Sequence, residues 1–161
     1  MKMLVSLLII GLTTLSVTAI HTPVVASDAV AMVSGGGTAD FVATPNSVTT
    51  SGFTDFSVSV TVYADGTAQG RFVCMIPAVV TISGDVLEAN LNDDGSVTVC
   101  GLAHGYDHFF HTTFTDTPFT ATFREGRAHV GGFDYRDESG FFGPGQFDTE
   151  EVRRGMIRIV P

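Results

Sequence analysis

Phe56-Ser57-Val58-Ser59-Val60-Thr61-Val62-Tyr63-Ala64-Asp65-Gly66-Thr67-Ala68-Gln69-Gly70-Arg71-Phe72-Val73-Cys74 reads as two strands and a turn. Phe56, Val58, Val60 and Val62 alternate with Ser57, Ser59, Thr61 and Tyr63, the period of a half-buried strand. Ala64-Asp65-Gly66 makes a three-residue loop with Gly66 in the left-handed conformation, which glycine adopts without steric cost. On the return, Ala68, Gly70, Phe72 and Cys74 fall on the apolar face, so Cys74 points inward.

The punctuation recurs at Asp93-Asp94-Gly95-Ser96 and Arg124-Glu125-Gly126-Arg127, about thirty residues apart. Each predicts a hairpin, and together they predict an antiparallel meander. Val80, Ile82, Gly84 and Val86 alternate after Pro77; the pattern then slips to Leu87, Ala89 and Leu91, which places a bulge between Asp85 and Glu88. Val97, Val99, Gly101 and Ala103 form the partner strand, and the third hairpin pairs Phe119, Ala121 and Phe123 with Ala128 and Val130. Met156 to Val160 is a closing strand, and Ala29 to Ser34 and Thr38 to Val42 are one or two strands around Gly35-Gly36-Gly37. Roughly eight to ten strands result, with no helical period. Exposed sheet edges have to be managed, so the fold is all-β: an up-and-down barrel, or a two-sheet sandwich if the segments Gly105 to Asp116 and Tyr135 to Thr149 are long loops. Phe56, Val58, Val60, Val62, Phe72, Val80, Ile82, Phe119, Phe123, Val130 and Ile157 are its core face.

Residues 1–26 carry one lysine, the apolar run Met3 to Leu12 and then small residues. This is a secretory signal peptide, with cleavage after Ala19 or Ala26. A membrane anchor would need roughly twenty unbroken apolar residues, and Thr13 to Thr18 erode the run. Residues 27–161 form one domain, exported to the periplasm or medium, and no later run is long enough for a helical span. All seventeen acids lie after Ser27 and only seven arginines oppose them, so the leaderless chain carries about −10. That charge argues against nucleic acid and anionic membranes as partners.

The segments Gly35-Gly36-Gly37-Thr38, Ala64 to Phe72, Gly84-Asp85-Val86 and Gly155 to Ile159 together resemble those of small exported bacterial β-rich proteins. The resemblance implies export and an all-β fold, and supplies no catalytic residue.

Cys74 and Cys100 are the two cysteines, and in an exported chain a disulfide is the first reading. Closing their loop would contribute about 3.5 kcal/mol in the chain-entropy model. Strand parity opposes it, because Cys100 alternates out of step with Val97 and Val99; two packing thiols are the other reading. His104, Asp107, His108 and His111 are ligand types for zinc or copper, the only cofactors the residues suggest. Converging three imidazoles requires a turn in the segment or help from His129; otherwise, and preferably, it is an exposed polar loop whose Phe109 and Phe110 tuck under the sheet. Phe133 to Asp148 reads as a capping loop, a calcium loop or a sugar-binding surface. Glu150-Glu151 with Arg153-Arg154 reads as a surface ion-pair stretch. Nucleophile-elbow, phosphate-loop and dinucleotide motifs are missing.

The expected role is therefore non-catalytic: a structural module, or a barrel enclosing a small apolar ligand against Phe56, Val58, Val60, Phe72, Phe119 and Phe123, or one meeting a surface protein. The competing expectation is an enzyme, either a metal-assisted hydrolase on the histidine segment or an acid/base isomerase in a barrel mouth.

Overall fold

Alternation along each strand puts apolar side chains on one face of a single sheet, and the sheet buries that face by closing on itself. A computed structural model of the chain describes residues 27–41, 52–126, 131–137 and 149–161. Eight antiparallel strands follow one another in chain order: β1 (Ala29–Phe41), β2 (Phe53–Tyr63), β3 (Thr67–Ile76), β4 (Val80–Leu91), β5 (Val97–Asp107), β6 (Thr112–Arg124), β7 (Gly132–Asp137) and β8 (Glu150–Val160). β8 pairs back onto β1, which closes the barrel and rules out the two-sheet sandwich. Residues 1–26, Val42, Ala128, His129, Val130 and the segment 138–148 lie outside the described residues.

The first two turns share one device. Asp65 Oδ1 accepts hydrogen bonds from the Thr67 N–H (2.9 Å) and hydroxyl (2.6 Å), and Asp94 Oδ1 accepts the same pair from Ser96 (3.0 and 2.6 Å). These bonds hold both carboxyls below the usual aspartate value. Gly66 and Gly95 take φ of 84° and 80°, as the loop requires.

The third turn departs from expectation. Glu125 is one methylene too long for the aspartate device, and Arg127 has no hydroxyl to donate. β6 instead pairs with residues further on: Phe123 with Phe133, Ala121 with Tyr135 and Phe119 with Asp137. The start of the expected capping loop is thus strand β7, with Phe133 and Tyr135 buried. Similarly, β5 and β6 run to Asp107 and from Thr112, so the expected long loop is a tight hairpin.

Register shifts between Val86 and Glu88, confirming the bulge at that place. Only Ala89 returns to the core; Leu87 and Leu91 are exposed. Gly35-Gly36-Gly37 does not divide β1 but lies in its middle against β8. A Cβ on Gly37 would strike the Arg154 carbonyl and one on Gly155 the Gly36 carbonyl, so glycine on both strands permits the close crossing.

Side chains fill the interior. Phe72 meets Phe123, Phe133 and Tyr135 with ring centroids 5.3, 5.5 and 5.9 Å apart, and Phe56 meets Phe133 at 4.9 Å. Edge-on and tilted contacts at these distances are favourable beyond the area they bury. A Cβ on Gly84 would come 2.6 Å from the Phe119 ring, so that ring occupies space which any other residue would claim. An eight-strand barrel is just wide enough to be filled in this way.

Candidate functional site

The β5–β6 hairpin carries the most outward-directed chemistry. Continuing the β5 alternation past Ala103, His104 and Tyr106 face out while Asp107 faces in, where it is fully buried. Asp107 Oδ1 accepts the Phe110 N–H at 2.6 Å, and the His108 N–H donates to the Val79 carbonyl at 2.7 Å. His111 completes the turn in the left-handed conformation, φ 54°. This bracing lifts Phe109 and Phe110 into solvent, 73% and 61% exposed, with their rings edge-on at 4.9 Å, so they do not tuck under the sheet as expected.

Tyr106 is held from two sides. The His108 ring meets it edge-on at 5.0 Å, and its hydroxyl lies 3.3 Å from His111 Nδ1. His108 Nε2 in turn lies 3.1 Å from Thr81 Oγ1. In register, Thr81, Tyr106 and Thr113 form one outward row across three strands, and Ser83 and His104 a second. A surface cavity of about 420 Å³ runs over both rows, lined by Thr81, Ser83, His104, Gly105, Tyr106, Thr113, Phe114 and Thr115.

The structure does not converge the expected metal ligands. His104 is exposed on the outer face, Asp107 is inside, and His108 and His111 hold hydroxyls of Thr81 and Tyr106. Among the described residues no three His, Cys, Asp or Glu side chains gather to hold a metal. Nor do the expected cavity residues line a cavity: Phe56, Val58, Val60, Phe72, Phe119 and Phe123 are packed core. Cys74 is buried on β3 and Cys100 half-buried on β5, both free thiols, because the two side chains sit on opposite faces of the sheet.

One interior group was missed from sequence. Glu150, expected in a surface ion-pair stretch, is fully buried at the start of β8; Arg153 pairs instead with Asp40 at 3.2 Å. Ala39 separates Thr54 from Val152 in the pairing order, and its small side chain leaves room for Glu150 to approach Thr54 across β1. Neither Glu150 carboxylate oxygen nor Thr54 Oγ1 has a hydrogen-bond partner of good geometry among the described residues. Burial pushes the Glu150 carboxyl up to about 8, opposed in part by the Thr54 hydroxyl. Burial, and then the Glu150 charge, push the Cys74 thiol well above its ordinary value, so it is no nucleophile at neutral pH. The signal available in sequence was that Glu150 shares parity with Val152.

Comparison with protein-family models, curated proteins and solved structures finds no match to this chain. The site therefore rests on its own geometry.

Proposed function

We propose that this chain is an exported, non-catalytic binding module whose ligand lies on the outer face of β4, β5 and β6. The observation that carries the reading is the braced tip of the β5–β6 hairpin. A buried carboxylate and a left-handed histidine are committed to a turn that displays two phenylalanine rings beside a fixed tyrosine. Exposed aromatics on a rigid support are features of recognition surfaces.

Two further points support it. The barrel interior is occupied by side chains, which leaves the outer surface for binding. Apolar-in, polar-out alternation is also the reverse of a membrane-spanning barrel, in keeping with a soluble exported domain. The test is amide chemical-shift mapping of the leaderless protein with indole, benzyl alcohol and isopropanol. Shifts clustering at Tyr106 to Thr113 support the reading; clustering at Phe56, Phe72 and Phe123, or no cluster, sinks it.

Glu150 favours a second reading, an acid/base isomerase, because a carboxyl that keeps its proton near neutrality is suited to general acid work. Substrate would have to reach a group with no exposed surface, and the surface cavity described above does not touch it.

A further inference from the structure

We infer that the groove over β4, β5 and β6 binds an uncharged saccharide chain, its sugar rings laid on Tyr106 and His104 and its hydroxyls met by Thr81, Ser83, Thr113 and Thr115. This rests on the binding-module reading and names the class of its ligand.

The shape comes first. Two residues apart on one strand face, Tyr106 and His104 leave the backbone about 7 Å apart along β5. Tyr106 is fixed before any ligand arrives, by the His108 ring set nearly perpendicular to it at 5.0 Å and by His111 at its hydroxyl. A ring already held still loses little freedom on binding. The axial C–H groups of a pyranose form an apolar face that such a ring covers, while the equatorial hydroxyls project sideways. Hydroxyl side chains stand on both sides of the rings, Thr81 and Ser83 on β4, Thr113 and Thr115 on β6. Each can donate and accept, which suits a sugar hydroxyl.

Charge then narrows the class. Among the described residues no Asp, Glu, Lys or Arg lines the groove. An anionic polymer approaches a chain that carries about −10 once its leader is gone, and finds no cation to pair with. A cationic ligand finds no carboxylate in the groove. The groove is open on the outer wall of a barrel, a form suited to a chain lying across it rather than a small molecule engulfed by it.

The experiment titrates the leaderless protein with maltohexaose, cellohexaose and laminarihexaose, and with oligogalacturonate as the anionic control, following backbone amides. Expected are saturable shifts at His104, Tyr106 and Thr113 with at least one neutral hexasaccharide and none with the control. Tyr106→Ala should weaken binding about tenfold or more, Tyr106→Phe far less, because the ring carries the contact. Thr113→Val, isosteric and on the outer face, should weaken it by about threefold with the fold unchanged. If indole shifts these amides and no neutral hexasaccharide does, the site stands and the saccharide class is overturned. If neither does, both are overturned. A response to oligogalacturonate alone would overturn the charge argument and the proposal with it.

Discussion

Asp107 on β5 and Glu150 on β8 are both fully buried carboxyls, yet their surroundings differ in one respect. Asp107 lies under a four-residue turn that sends it an N–H at 2.6 Å, whereas Glu150, at the start of β8, faces only the Thr54 hydroxyl and has no hydrogen bond of good geometry among the described residues. β5 and β6 pair along most of their length; among the described residues β7 and β8 pair at Gly132 with Glu151 and Phe133 with Glu150, next to a Val152 N–H on the Gly131 carbonyl. A buried acid with a backbone donor acts as a brace for a surface loop. Without a donor it keeps its proton, and it ties the stability of the closure to pH.

The largest expected effect comes from removing the ionisable member of this pair. Glu150 titrates at its ordinary 4.5 when unfolded and at about 8 when folded. The unfolded chain therefore releases the proton first. Its contribution is intact below pH 4.5, declines as pH rises, and is gone above about 8. At roughly 1.4 kcal/mol per pH unit the loss is on the order of 5 kcal/mol. Denaturant titrations of wild type and Glu150→Gln should diverge by this amount between pH 4 and 9, the variant being the flatter. Parallel curves would mean that Glu150 is hydrated in solution and that the contrast with Asp107 is false.

Asp107→Ala should cost about 1–3 kcal/mol, because the Phe110 N–H loses its acceptor, while Asp107→Asn keeps an acceptor oxygen and most of the stability. Hydrogen exchange at Phe110 should quicken in the alanine variant alone. Equal exchange in both variants would show that the turn stands without its brace.

Cysteine alkylation sharpens the comparison with the smallest perturbation. Cys100 should label in the native state and Cys74 only through opening near Glu150, so the Cys74 rate should climb above pH 8 in wild type beyond the rise seen for Cys100. In Glu150→Gln that excess should vanish. An unchanged mass on reduction of the purified protein checks that both thiols are free.

Much of the barrel was legible. Phe56 to Cys74 contains its own register, because an alternating strand, an Asp-Gly turn carrying a Thr hydroxyl, and a second alternating strand permit only one in-and-out assignment. The slip after Val86 marked a bulge for the same reason. The third turn misled because Glu125-Gly126-Arg127 copies the appearance of the first two without the short carboxylate and hydroxyl that close them. Phe133-Asp134-Tyr135-Arg136 does alternate, but its aromatics read equally well as a capping loop.

The amino-acid sequence by itself determined an antiparallel meander with a defined apolar face, since local alternation and turn chemistry act over a few residues. Closure of β8 onto β1, the filling of the interior by rings from four strands, the scattering of His104, Asp107, His108 and His111 to different faces, and the burial of Glu150 were decided only in three dimensions. Each depends on which distant strand lies opposite, and a side chain's environment is set by that neighbour rather than by its own segment.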